Sequence, residues 1–330
     1  MSESATSDTD VQHWDAFWRA RDKAISQEDV GARDRAPALY WESFFRQAFD
    51  RNPRPRLIDI ACGNGAVTEI AMTIAQDMAV NVDAHCLDYS MSAVDELRKR
   101  FPEVEGIACD AREVPYQDGA FDIVVSQFGI EYAGREAFLE AARLVAPGGT
   151  LTALVHLADG AINKECADSL SVAAALREAQ LMSLARNAFT AGFELIAGKI
   201  TDQEFQEADK RLAPAVEVAK QILQDKGPLA AGGLLARLYR DIGHMYTRMQ
   251  NYVPAEVFAW IDGMSGELVS YEGRMASMTR CALDDPGIQD IAAAVGAAGF
   301  TVQTPDVLAL AESGKPAAWI LIASRDAPAS

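Results

Sequence analysis

The chain has 330 residues, of which 49% are hydrophobic, and a formal net charge of −18; such a composition supports a large buried core in one enlarged domain or two modest ones. The charge opposes approach to a phosphate backbone unless basic residues gather on one face, and no such cluster is present, so nucleic acid is not expected as a partner. No uninterrupted apolar run approaches the roughly 20 residues of a membrane span, since even the alanine-rich stretch around Ala173 carries Arg177, Glu178 and Arg186; no membrane partner is expected either.

Residues 1–10, MSESATSDTD, are acidic and polar and lack the basic start and apolar stretch of a signal peptide. They are expected to be a disordered tail on a cytoplasmic protein. Cys62, Cys86, Cys109, Cys166 and Cys281 have no CxxC spacing and read as reduced, mostly buried thiols. Residues 11–55 are expected to form an N-terminal helical cap. Trp14, Phe17 and Trp18 fall at i, i+3 and i+4, and Tyr40, Trp41, Phe44, Phe45 and Phe49 mark a second aromatic helix. These aromatics either pack on a sheet core or close over a ligand, and the spacing leaves both readings open.

From Arg56 onward the hydrophobic period switches between short strand-like runs and helical stretches. Strands are predicted at 56–60, 80–87, 104–109, 121–127 and 150–157, each short and apolar as in a parallel sheet covered on both faces. Helices are predicted between them at 66–77, 91–101 and 135–145. Asp118-Gly119 precedes the fourth strand and Pro147-Gly148-Gly149 the fifth, which places turns at these boundaries. The alternation implies right-handed crossovers and a doubly wound α/β sheet.

After the fifth strand the pattern is helical alone. Residues 161–283 are expected to be a helical insertion, with Thr201-x-x-Glu204 offering a capping box and Pro254 a helix start. The sheet resumes with a helix at 288–298 and strands at 300–308 and 317–324. The connection between those two strands is too short for a helical crossover, so they should be antiparallel. The predicted fold is α/β, with a doubly wound, mostly parallel seven-stranded sheet whose last strand is antiparallel, formed by 56–160 and 284–330. Half of the methionines fall within 245–278, among Tyr246, Tyr252, Phe258, Trp260 and Tyr271. The insertion therefore reads either as a substrate lid with an apolar pocket or as its own core and a homodimer surface.

Asp59-Ile60-Ala61-Cys62-Gly63-Asn64-Gly65 ends a buried strand in small residues and enters a helix at Ala66, so backbone N–H groups are aimed at any ligand above it. Thr68 stands where the dinucleotide fingerprint needs a third glycine or an alanine, which disfavours a nicotinamide-dependent oxidoreductase. The segment resembles motif I of class I S-adenosylmethionine-dependent methyltransferases, Rossmann-like enzymes of the type 11/25 kind, with Ala61 where glycine is commonest. The resemblance continues in order through Asp88 in C-L-D-Y-S, Cys109-Asp110-Ala111, the Asp118-to-Val124 approach to strand four and the Leu144-to-Thr150 approach to strand five.

That resemblance implies S-adenosyl-L-methionine as cofactor, with Asp88 on the ribose hydroxyls and Asp110 with Ala111 at the adenine. It further implies Asp59 and Gln127 at the methionine end, Tyr89 packing on adenine, and Ala61, Cys62, Gly63 and Gly65 forming the loop. Methyl transfer then needs alignment, desolvation and, for some acceptors, a base. His156, Tyr132 and His244 are the candidate catalytic residues, with Glu131 also near. No metal is required. Ser126-Gln127-Phe128-Gly129 is not the (D/N)-P-P-(Y/F) loop of nucleic-acid amino-methyltransferases, and no Pro-Cys nucleophile of the cytosine type occurs. A small organic acceptor is the expected substrate. A non-catalytic regulatory protein that binds the same cofactor is the competing reading.

Overall fold

The computed structural model describes residues 8–21 and 34–327. Most of the expected tail lies outside the described residues. Its last three positions do not fit a disordered tail, because Asp8 to Asp10 already belong to helix α1 (Asp8–Arg21).

The described residues form two compact units, one within 1–165 and 277–330, the other 166–276. In the first, β1 (Arg56–Ile60), β2 (Asp83–Asp88), β3 (Glu105–Ala108), β4 (Phe121–Gln127) and β5 (Val145–His156) run parallel. β8 (Pro316–Ser324) is antiparallel to β5, and β6 (Thr301–Val302) and β7 (Asp306–Ala309) both pair along its outer side. The single strand predicted at 300–308 is thus two short ones, broken around Pro305, which has no N–H to give a ladder. The order β3-β2-β1-β4-β5-β8-β6 reverses between β1 and β4. A doubly wound sheet opens its ligand crevice at such a switch point.

The parallel strands are apolar on both faces because helices cover both. One face buries Leu57, Ile123, Val125 and Leu154 under α2 (Ala36–Arg51) and α3 (Ala66–Met78), with Trp41, Phe45 and Phe49 of α2 fully inside. α4 (Met91–Arg100) sets Leu97 against Cys86 on the same side. The opposite face takes α5 (Arg135–Leu144) and α11 (Asp285–Ala297). Of the two readings of the aromatic helices, α2 is core packing, whereas α1 sends Trp14 and Trp18 to a cavity wall. Asp15 of α1 accepts from the Ser90 hydroxyl at 2.8 Å and the Ser92 N–H at 3.2 Å, and Asp10 takes Arg280 at 2.7 Å.

The second unit contains the larger parts of α6 (Ala161–Glu178) and α10 (Pro254–Cys281), together with α7 (Leu181–Ile196), α8 (Asp202–Lys226) and α9 (Leu234–Thr247). Thr201 and Glu204 form the reciprocal capping box that starts α8. Tyr246 stacks on Phe205 and donates to Asp209 at 2.9 Å, and Met249 lies against Gly192, where a Cβ would stand 2.3 Å from its sulfur. Among the described residues no helix is long and apolar enough to cross a membrane.

Phe45 is wholly buried between the stacked rings of Trp41 and Phe49. Its replacement, Phe45→Ala, is expected to cost about 3–5 kcal/mol of unfolding free energy in a denaturant titration; a loss below about 1 kcal/mol would show that α2 is not part of the sheet core.

Candidate active site

The loops leaving β1 and β4 meet at the switch point. Ala61 and Phe128 both adopt left-handed backbone, φ 55° and 53°, a conformation that costs a non-glycine residue about 1–2 kcal/mol. Gly129 has no room for a side chain, since a Cβ there would sit 2.5 Å from that of Ala61. Closing the two loops this tightly opens a cavity of about 640 Å³ over the strand ends, within the range of about 300–1,000 Å³ usual for small-molecule sites.

Its lining brings together most of the residues singled out from the sequence: Asp59, Ala61, Cys62, Gly63, Asp88, Tyr89, Asp110, Ala111 and Gln127 on one side, and Tyr132 and His156 on the other. Gly65 does not line it. That glycine starts α3 at φ 85° and faces Leu97 and Phe101, so its role is backbone conformation, not room for a ligand. His244 is exposed in the second unit beside Arg248 and Tyr252 and is not part of this cavity. Nor do Tyr246 and Met249 line it, because they pack within their own unit. Trp14 and Trp18, for which closing over a ligand was one of two readings, and Met278 of the methionine-rich stretch also line the cavity, as does Arg112, which sequence reasoning missed.

Asp59 is 1% exposed; one carboxylate oxygen accepts from the Thr68 hydroxyl at 2.7 Å and the other has no partner among the described residues. This hydrogen bond explains threonine where a dinucleotide loop would have a small residue. Burial pushes the Asp59 carboxyl up to about 7, hydrogen bonds from Thr68 oppose the rise, and the charge of Asp88 adds to it. Asp88 closes β2 half-buried, with one oxygen accepting from the Gly63 N–H at 2.9 Å and the other from the Ser90 N–H at 2.8 Å. Burial raises its pKa against those backbone bonds. A carboxylate offers about four lone-pair sites, so each Asp88 oxygen can accept once more.

Asp110 is different. Arg112 donates to it from its backbone N–H at 2.8 Å, twice from Nε and once from Nη2, and this arginine holds the Asp110 carboxyl below its usual range. Its acceptor positions are therefore taken. The Gln127 side chain accepts from the Trp41 indole at 2.7 Å, leaving its backbone to the cavity.

At the other end His156, the last residue of β5, is 1% exposed and Glu131 is 2% exposed. A single oxygen of Glu131 lies 2.6 Å from Nδ1 of the ring and 3.1 Å from the His156 backbone nitrogen. Glu131 Oε2 and His156 Nε2 have no partner among the described residues. Phe128 lies over the imidazole at 4.6 Å, Tyr132 meets it edge-on at 6.1 Å, and Trp14 meets Tyr132 at 5.9 Å. Val11, Ile162 and Met278 also line the cavity and are apolar.

Residues 58–153 match the family description of a methyltransferase domain. A demethylmenaquinone methyltransferase of Renibacterium salmoninarum is 29% identical over 113 residues, covering 34% of this chain and 45% of the relative. Another, from Beutenbergia cavernae, is 32% identical over 114 residues with coverages of 34% and 45%. A ubiquinone/menaquinone biosynthesis C-methyltransferase of Campylobacter jejuni is 31% identical over 102 residues, 30% of this chain and 43% of the relative. The chain spans less than half the length of the curated relatives it matches.

The raised pKa of Asp59 has a stability consequence. The folded protein binds this proton more tightly than the unfolded chain, so the contribution is complete below about pH 4 and is lost as pH rises through about 7. Asp59→Asn should therefore stabilise the ligand-free protein at pH 8 by on the order of 2 kcal/mol and have little effect at pH 4. Chemical denaturation at the two pH values checks this, and equal effects at both would remove the buried charge from the account.

Proposed function

We propose, from the premise that residues 58–153 constitute a class I S-adenosylmethionine-dependent methyltransferase domain, that this protein methylates a small, largely apolar organic acceptor that surrenders a proton to His156. The observation that carries the reading is the unpartnered, buried Nε2 of His156 in the wall of the cavity that also holds Asp59 and Asp88. Bound there, S-adenosylmethionine supplies a methyl group on a sulfonium, already activated toward displacement.

The residues fit that cofactor unevenly. Asp88 has acceptor capacity to spare for two ribose hydroxyls, and the orphaned oxygen of Asp59 suits a donor at the amino-acid end. Backbone of Ala61, Cys62, Gly63 and Gln127 frames the same end, with Tyr89 and Ala111 flanking the adenine position. Asp110 reaches an exocyclic amine only by releasing part of its Arg112 clamp, an exchange open to it because Arg112 is exposed. Its share in cofactor affinity should be smaller than that of Asp88.

On the acceptor side the wall is Phe128, Tyr132, Trp14, Ile162 and Met278. These surfaces favour a flat apolar compound, and proton transfer to Nε2 requires one that carries an acidic proton. An aromatic hydroxy compound meets both conditions, and the matching relatives are named for demethylmenaquinone and for ubiquinone/menaquinone biosynthesis. His156 is the proton acceptor, Tyr132 shapes the wall, and His244 has no part in the step.

Asp88→Ala is expected to weaken S-adenosylhomocysteine binding by about 1.5–3 kcal/mol, and Asp110→Ala by less than half of that, in calorimetric titrations. Equal losses would return the adenine contact to an unclamped Asp110. His156→Asn should lower release of S-adenosylhomocysteine from a hydroxy-aromatic acceptor by about 10²–10⁴-fold with cofactor affinity unchanged. A folded His156→Asn protein with undiminished turnover would sink the base assignment, and wild-type protein that binds cofactor but never releases product with such acceptors would favour a regulatory binding protein.

A further inference from the structure

We infer that Glu131 is the positioning residue of a buried carboxylate–imidazole dyad, fixing the ring of His156, a residue of the cavity wall, in the neutral tautomer whose Nε2 carries the lone pair. The inference rests on the reading of His156 as the proton acceptor and adds what makes the ring competent for it. A neutral imidazole carries one proton, and either nitrogen can hold it. Which one does is decided by the hydrogen bond available to the other.

The geometry leaves one choice. Glu131 Oε1 accepts from the His156 backbone N–H at 3.1 Å and lies 2.6 Å from Nδ1, and an ionised carboxylate has no proton to give. Nδ1 therefore bears the proton, and Nε2 is left as the base. One carboxylate oxygen thus gathers the ring and the main chain of the same residue. The strand end it grips is itself rigid, because the His156 carbonyl accepts from the Leu283 N–H at 2.8 Å and β8 pairs alongside it.

Rotation of the ring by half a turn would put carbon against Glu131 and is opposed by Phe128 over its face. Glu131 is held in turn in the short 3-10 turn Ile130–Ala133, between Ile130 and Tyr132, all buried. A carboxylate here is costly: it is 2% exposed and its second oxygen has no partner among the described residues. A glutamine would satisfy the backbone N–H equally well, so packing alone does not require a charge. A negative group beside Nδ1 earns its place when the ring becomes positive. A proton passing from the acceptor to Nε2 leaves an imidazolium, and the adjacent carboxylate offsets that charge without any motion.

The test uses nitrogen-15 NMR of the imidazole rings in the full chain, which needs no acceptor. The four histidines are assigned by substituting His13, His85 and His244 one at a time. In the wild type with S-adenosylhomocysteine added, the neutral His156 ring is expected to show a protonated Nδ1 and an unprotonated Nε2. Glu131→Met should reduce the Nδ1–H population by at least roughly two-fold. Glu131→Gln, whose amide oxygen can stay on both donors, should retain it.

A wild-type ring protonated at Nε2, or an unchanged tautomer ratio in Glu131→Met, overturns the inference. The wild-type measurement decides even if Glu131→Met does not fold. With a turned-over acceptor, Glu131→Met should lower kcat by about 10²-fold or more with KM for the cofactor held, and Glu131→Gln should recover part of that loss. A pinned tautomer together with His156→Asn turnover equal to wild type would leave the dyad standing and remove the base assignment instead, so the two failures are separate.

Discussion

The contact between Ala61 and Gly129 is the constraint from which the rest of the site follows. Two strands adjacent in the sheet but far apart in sequence end side by side, and their loops turn away in opposite directions through left-handed residues. The turn at Ala61 sends Cys62 and Gly63 over the end of β2, where Gly63 donates to Asp88. The turn at Phe128 sends the chain through Gly129 into the short helical turn carrying Glu131 and Tyr132. A side chain at Gly129 would force these loops apart. Asp59 and His156 would then no longer face one cavity. Strain of a few kcal/mol in two backbone residues is held by the sheet beneath, whose strands are locked in register on both sides.

Charge in this crevice is arranged against stability. Asp59 and Glu131 are nearly inaccessible carboxylates, each with an oxygen that finds no donor among the described residues, and burial raises the pKa of Asp59 and of Asp88. Three acids over the ends of adjacent strands would ordinarily be replaced by apolar residues if folding alone were at stake. Asp59 and Asp88 line the cavity directly, and Glu131 is joined to it through His156, which is what a site looks like when its ligand completes the hydrogen bonding. The clamped Asp110 and the saturated Asp15 are the contrast: acids of the same neighbourhood whose bonds close within the chain.

The sheet was readable in the sequence because a parallel strand buried on both faces is a short, unbroken apolar run, and a turn residue bounds each one. β1 and β4 have the predicted limits, and α3, α4 and α5 end within one residue of theirs. β5 begins earlier than expected because Val145 pairs with Phe121 across an irregularity that carries the strand through Pro147 and two glycines. β2 starts later, since Val80 closes the end of α3 by donating to Ala75. What periodicity does not carry is partnership. Nothing in the string Asp110-Ala111-Arg112 says that the arginine folds back on the aspartate, and nothing near Glu131 says that His156, far along the chain, will receive it.

The methionine-rich and aromatic stretch after residue 244 shows the limit of composition as a guide to function. Apolar, polarizable side chains line a pocket and fill a core alike, and their helical spacing is the same in both. Met249 and Tyr246 lie against Gly192 and Phe205, surfaces of their own unit, and so have no ligand to explain. Met278 has the same chemistry but stands on the last turns of α10, past the boundary where the chain rejoins the sheet unit, and it reaches the cavity. What separates the two cases is a polar atom left without a partner nearby. His156 supplies one beside the Phe128 and Tyr132 wall. The Tyr246 hydroxyl, bonded to Asp209, does not. An apolar cluster becomes a candidate binding surface when it encloses an unmet hydrogen bond, because packing can account for every other feature it has.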